Sequence, residues 1–171
     1  MTDRSPDSID RTVAKTRQWI DETAAELGTE DRREAYRVLR AFLRVVRDRV
    51  GVNEAAQLAA QLPELLRGAF YENWVPSRTP ERYRDRDTFL RKLAEQALLA
   101  GETDASYAAT ATMRVLRRHV SEGELDDVLA NFPADVRELL GPSARAARVE
   151  ALLDARLGSD EHARADPPRA G

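Results

Sequence analysis

Residues 43–63, LRVVRDRVGVNEAAQLAAQLP, return seventy positions later as residues 113–133, MRVLRRHVSEGELDDVLANFP. Seven of the twenty-one positions are identical without a gap: Arg44/Arg114, Val45/Val115, Arg47/Arg117, Val50/Val120, Glu54/Glu124, Ala60/Ala130 and Pro63/Pro133. Others keep their character, as in Leu43/Met113, Val46/Leu116, Leu58/Val128 and Leu62/Phe132. A duplication constrains the fold more than any single motif, because both copies must form the same small unit and bury equivalent faces. At the same offset Trp19 and Ile20 match Phe89 and Leu90, so the duplicated unit includes the helix that leads into it.

The apolar spacing within each copy is helical. Ile9, Val13, Thr16, Ile20, Ala24 and Leu27 recur in steps of three and four, and Gly28 follows as a stop. A second helix runs to about Val50 with Ala35, Leu39, Phe42, Val46 and Val50 inward; Tyr36, Val38, Leu43 and Val45 widen the stripe as in a helix buried on more than one side. Thr29 is the expected cap of that helix. A short helix carries Leu58 and Leu62, and Pro63 ends it and can begin another through ELLRGAFYENW. The second copy repeats the plan. A helix with Phe89, Leu93, Ala97 and Ala100 is expected to end at Gly101, and another buries Ala109, Met113, Leu116 and Val120. Ser121 and Glu124 form an S-x-x-E capping box, in which each side chain satisfies a free backbone donor of the other.

No alternating strand pattern occurs. The expected fold is all-α, two tandem helical repeats of about four short helices each on a shared core, plus a C-terminal helix. The boundaries read as a disordered N-terminus at 1–6, repeat one at 7–75, a connection at 76–86, repeat two at 87–141, a C-terminal helix at 143–158 and a disordered tail at 159–171. The C-terminal helix, with Val149, Leu152, Leu153 and Leu157, has no counterpart in the first copy; it is expected to cover exposed core or to join subunits.

Composition narrows the partners. The chain has 171 residues and a net charge of −3, too near neutral to imply a polyanion or polycation partner on charge alone. Without cysteine there are no disulfides or thiolate metal sites, and no apolar run approaches the roughly 20 residues of a membrane span. The polar start MTDRSPDSIDRT is not read as a signal peptide. The expectation is a cytoplasmic protein without a membrane partner. Lys15 and Lys92 are the only lysines among 27 basic residues, an excess of arginine that reads as coding bias more than as chemistry.

The segment Leu43 to Pro80 carries Glu54-Ala55, Leu58, Gln61-Leu62-Pro63, Leu65-Leu66-Arg67-Gly68 and Phe70-Tyr71-Glu72-Asn73-Trp74. In these motifs it resembles a bacterial and archaeal family catalogued as domain of unknown function 2267, over roughly residues 7–140. Asn73 stands where that family often has Gly, a mild change because Asn tolerates left-handed backbone. The resemblance implies an all-helical pair of repeats and brings no activity with it.

Candidate chemistry is sparse. His119 and Glu122 have H-x-x-E spacing, but a helix break is expected between them; Asp126-Asp127 suits a first helical turn. No phosphate loop, nucleophile elbow or metal-ligand spacing is present, so no catalytic, cofactor or metal residue is assigned. Arg33, Arg37, Arg40, Arg44 and Arg47 share one helix face and could form a ridge against nucleic acid. Against that ridge, Glu34 and Asp48 are spaced to pair along the helix, and the leading helix supplies Asp21, Glu22 and Glu26. Nucleic acid is therefore the disfavoured partner. Phe70, Tyr71, Trp74 and Tyr83, with Leu66 beside them, concentrate aromatic surface where the copies meet. They form either a seam or a partner-binding site. The leading expectation is a non-enzymatic module for an unidentified protein partner, with a homodimer among its compatible forms. An apolar ligand between the repeats is the other alternative.

Overall fold

The computed structural model describes residues 5–141, 148–149 and 151–153. Its helices are α1 (Ser5–Leu27), α2 (Arg32–Arg49), α3 (Val52–Ala60), α4 (Glu64–Tyr71), α5 (Arg86–Ala97), α6 (Glu102–His119), α7 (Glu122–Leu129) and α8 (Ala134–Leu140). A single 3-10 turn, Pro76–Arg78, interrupts the connection before α5. Among the described residues there is no strand.

The helix ends follow local chemistry with some shifts from expectation. Asp31, not Thr29, caps α2 by accepting from the Arg33 amide, while Thr29 Oγ1 donates to Glu34 at 2.8 Å. α5 stops at Ala97, four residues before Gly101, because Leu98 turns into the left-handed region at φ 56°. Ala100 thus lies outside that helix. Asn73, as its tolerance allows, is also left-handed at φ 58°. The expected capping box at Ser121 is half formed. Ser121 Oγ accepts from Glu124 N, but the Ser121 amide donates to Gln61 Oε1 at 2.8 Å, a side chain reaching across from the α3–α4 turn.

The long helices α2 and α6 form the centre. α1 packs on both, α5 packs on both, α3 meets α7, and α4 and α8 close onto α2 and α6. The stripe read from the sequence in α2 is the stripe that is buried: Ala35, Leu39, Phe42, Val46 and Val50 are all core residues. A run of edge-on rings ties the core together. Phe42 meets Phe89 at 6.4 Å between centroids, and Phe89 meets Phe132 at 5.8 Å. Thr23 and Thr112 are fully buried polar side chains, each satisfied by the carbonyl one turn back, Trp19 and Ala108. Residues 148–149 and 151–153 are helical, and Val149, Leu152 and Leu153 are exposed there, so these positions do not cover the core. Residues 1–4, Leu157 and the tail 159–171 lie outside the described residues.

Among the described residues Arg47 is the one buried charged side chain, only 4% exposed. Its Nε donates to Asp48 at 2.8 Å, and Nη1 donates to the carbonyls of Phe70 and of Glu72, the latter at 3.0 Å. It thus closes the C-terminal end of α4 against α2. Arg47→Ala would strand those carbonyls and Asp48, and should cost about 3 kcal/mol in urea unfolding. Arg33→Ala, at an exposed position, should stay within about 0.5 kcal/mol.

Where α3 meets α7, burial, with Asp127 and Glu54 close by, raises the Glu124 carboxyl above its ordinary value of 4.5. Its Oε1 is buried without a hydrogen-bond partner among the described residues. A raised carboxyl pKa means that ionisation opposes folding, so this residue destabilises the protein as pH rises from 4.5 through the raised value. Glu124→Gln should therefore raise the melting temperature at pH 7, and the gain should vanish in melts taken below the ordinary glutamate range.

Candidate functional site

The arginine face of α2 is not a solvent-facing ridge. Arg33 is exposed, but Arg37 Nε donates to Ala97 O at 2.8 Å and so caps α5. Arg40 lies over the Tyr36 ring, 5.3 Å from its centroid. Arg44 donates to Ala69 O at 3.0 Å and pairs with Glu72, and Arg47 is buried. Steps of three and four put five guanidinium groups on one face, and that face is largely covered by the ends of α4 and α5. The acids of α1 pair elsewhere too. Asp21 takes Arg32, while Glu22 and Glu26 face α6, where Glu26 pairs with Arg114 and Arg118.

The aromatic group divides into core and surface. Leu66 and Phe70 have no exposed area and belong to the core of α4. Tyr83 is buried as well, with the Arg49 guanidinium 4.6 Å from its ring centroid. Burial pushes the Tyr83 hydroxyl well above its ordinary pKa, and that hydroxyl has no hydrogen-bond partner among the described residues. Tyr71 and Trp74 are half-buried and stacked at 5.5 Å, with Phe70 edge-on to Tyr71 at 5.3 Å. The Trp74 indole nitrogen is buried and without a partner among the described residues. What this cluster offers to another molecule is the Tyr71–Trp74 step.

A second place was not found from the sequence. A groove of about 510 Å³ opens between the first half of α1, the α3–α4 turn and the last residue of α6. Arg11, Thr12, Lys15, Gln18 and Trp19 form the α1 wall. Gln61, Leu62, Pro63, Glu64 and Arg67 form the opposite wall, and His119 lies at the end. Trp19 is the organising side chain: it is buried and stacks on the His119 ring at 4.8 Å. His119 Nε2 lies 2.8 Å from Glu22 Oε2, and Gln18 Nε2 donates to Glu22 Oε1 at 3.0 Å. His119 is therefore paired across 97 residues and not with Glu122, which pairs with Arg148. The sequence signal was present in part, since Trp19 is the counterpart of Phe89, an evident core ring.

Burial pushes the Glu22 carboxyl up, but hydrogen bonds from His119 and Gln18, the charge on His119 and Arg118 outweigh it, leaving a pKa below 4.5. Among the described residues no group of three His, Cys, Asp or Glu is placed to hold a metal ion. No described helix is long and apolar enough to cross a membrane.

Fold and site together define, over the described residues, an all-helical domain in which several buried or half-buried arginines are tied into helix ends. Residues 16–139 match the family model described as "Uncharacterized conserved protein (DUF2267)", and the chain belongs to that family. No curated protein matches it.

A depressed carboxylate pKa contributes stability above the unfolded value, and that contribution is lost as pH falls through the folded value. Glu22→Gln should therefore melt below the parent protein at pH 7. The gap should narrow as pH drops below 4.5, which melting curves over an acid series would record.

Proposed function

We propose that this chain is a non-enzymatic interaction module, built from two related four-helix units, that binds a protein partner through the Tyr71–Trp74 step. The observation that carries the binding reading is the half-buried aromatic stack with an unpartnered indole N–H, next to exposed Val75. Half-buried aromatic anchors are the usual centres of protein interfaces. The non-enzymatic reading is supported by the use of His119, Glu22 and arginines such as Arg37, Arg44, Arg47 and Arg67 in bonds between elements. A chain without cysteine suits the reducing cytoplasm, the location we assign it.

Three features support the two-unit reading. α2 and α6, α3 and α7, and α4 and α8 each begin seventy residues apart. Exchanging the two sets of helices maps α1 on α6 onto α5 on α2. Arg47 bonds Phe70 O, and its counterpart Arg117 bonds Leu140 O, the counterpart carbonyl, at 3.3 Å.

A photo-crosslinking amino acid at Val75, introduced in cells, should give one discrete protein adduct that disappears on Trp74→Ala. The same group at Arg17, exposed on α1, should not give it. Equal adducts from both positions, or none from Val75, would remove the proposed surface.

A further inference from the structure

We propose that the groove between α1 and the α3–α4 turn binds a small aromatic anion, a planar ring bearing a carboxylate or phosphate. Charge points first to an anion. Arg11, Lys15 and Arg67 line the groove against a single acid, Glu64. Lys15 has no ion pair among the described residues, and it is exposed. Arg67 is held in place by bonds from Nε to Ala59 O at 2.8 Å and from Nη2 to Ala60 O and Leu62 O, which leave Nη1 to a ligand. A guanidinium already fixed in this way loses little freedom on binding. Thr12 Oγ1, on the α1 wall, is buried and has no hydrogen-bond partner among the described residues. The volume of about 510 Å³ suits a small ligand, and Trp19, Leu62 and Pro63 add apolar surface for a flat ring.

The second half of the molecule shows what fills the counterpart position. This comparison rests on the two-unit reading; the charge and the cavity do not. Arg49 and Asn131 are the seventy-residue counterparts of His119 and Gln61. Arg49 donates to Asn131 O and to Glu81 O, both at 2.7 Å, and carries the Tyr83 ring on its face. The Glu81 carboxylate pairs with Lys92 at 2.8 Å. In the second half, therefore, Arg49 meets a backbone carbonyl and an aromatic ring that are both supplied by the connection between the units.

Trp19 reports directly. In a Trp74→Phe background it is the sole tryptophan of the two, so its fluorescence reads the groove. Phenyl phosphate and benzoate should each change that emission saturably. Binding should weaken with added salt, and by about tenfold or more in the Lys15→Glu/Arg11→Glu double variant, whose positions are exposed. Benzylamine should give no saturable change. The idea is overturned if neither aromatic anion binds, or if the double variant binds them equally well. It is also overturned if inorganic phosphate or a tetraglutamate peptide binds as tightly as phenyl phosphate, since the ring would then be irrelevant. Loss of binding here would leave both the two-unit reading and the Tyr71–Trp74 surface standing.

Discussion

Short helices have many ends, and the ends of this bundle are held by guanidinium groups. Each helix leaves its last carbonyls without an internal partner, and burying such an end demands a donor. Arg67 reaches the end of α3, Arg44 and Arg47 the end of α4, and Arg37 the end of α5. Arg49 reaches the turn after α7, and Arg117 reaches the end of α8. A positive charge there also opposes the negative end of the helix dipole. The planar fork of arginine can serve two carbonyls at once, as Arg47 and Arg67 do; the single ammonium of lysine has no such preset geometry. The preference for arginine over lysine thus has a physical use at these positions, whatever coding bias adds elsewhere.

The same fact explains which parts of the fold were legible in the sequence. Apolar periodicity and the placement of Gly28 and Pro63 located the helices and the buried stripe of α2, because these signals act within a few residues. The destination of each arginine was not legible. Spacing in α2 puts Arg37, Arg44 and Arg47 on one face, but the carbonyls that receive them lie 23 to 60 residues away. Periodicity says which residues share a face; only the packed neighbours say whether that face meets water. The early stop of α5 was hidden for a different reason. Leu98 adopts a left-handed conformation that its residue type disfavours, so no local rule marks it.

The aromatic cluster was legible as a cluster and not as a surface. Phe70 looks like Tyr71 and Trp74 in composition, yet a single step along the chain, from Phe70 to Tyr71, separates full burial from partial exposure. The groove was hidden altogether, since its walls come from three segments and its central contact joins Trp19 to His119. Neither residue has a local pattern that suggests the other.

That contact has a parallel that bears on how the two ends of the molecule differ. α2 ends on Arg49 and α6 ends on His119, and each residue lies against an aromatic ring, at 4.6 Å for Tyr83 and 4.8 Å for Trp19. Arg49 is bonded to two carbonyls, so its end is closed by the chain itself. His119 is a smaller ring. Its ring comes from α1 and not from the connection, and its bond goes to a side chain, Glu22. The substitution of imidazole for guanidinium removes two strong donors from that end and leaves the polar walls of the groove facing open space. The two helix ends thus close differently, Arg49 on two backbone carbonyls and the Tyr83 ring, His119 on the Glu22 carboxylate and the Trp19 ring.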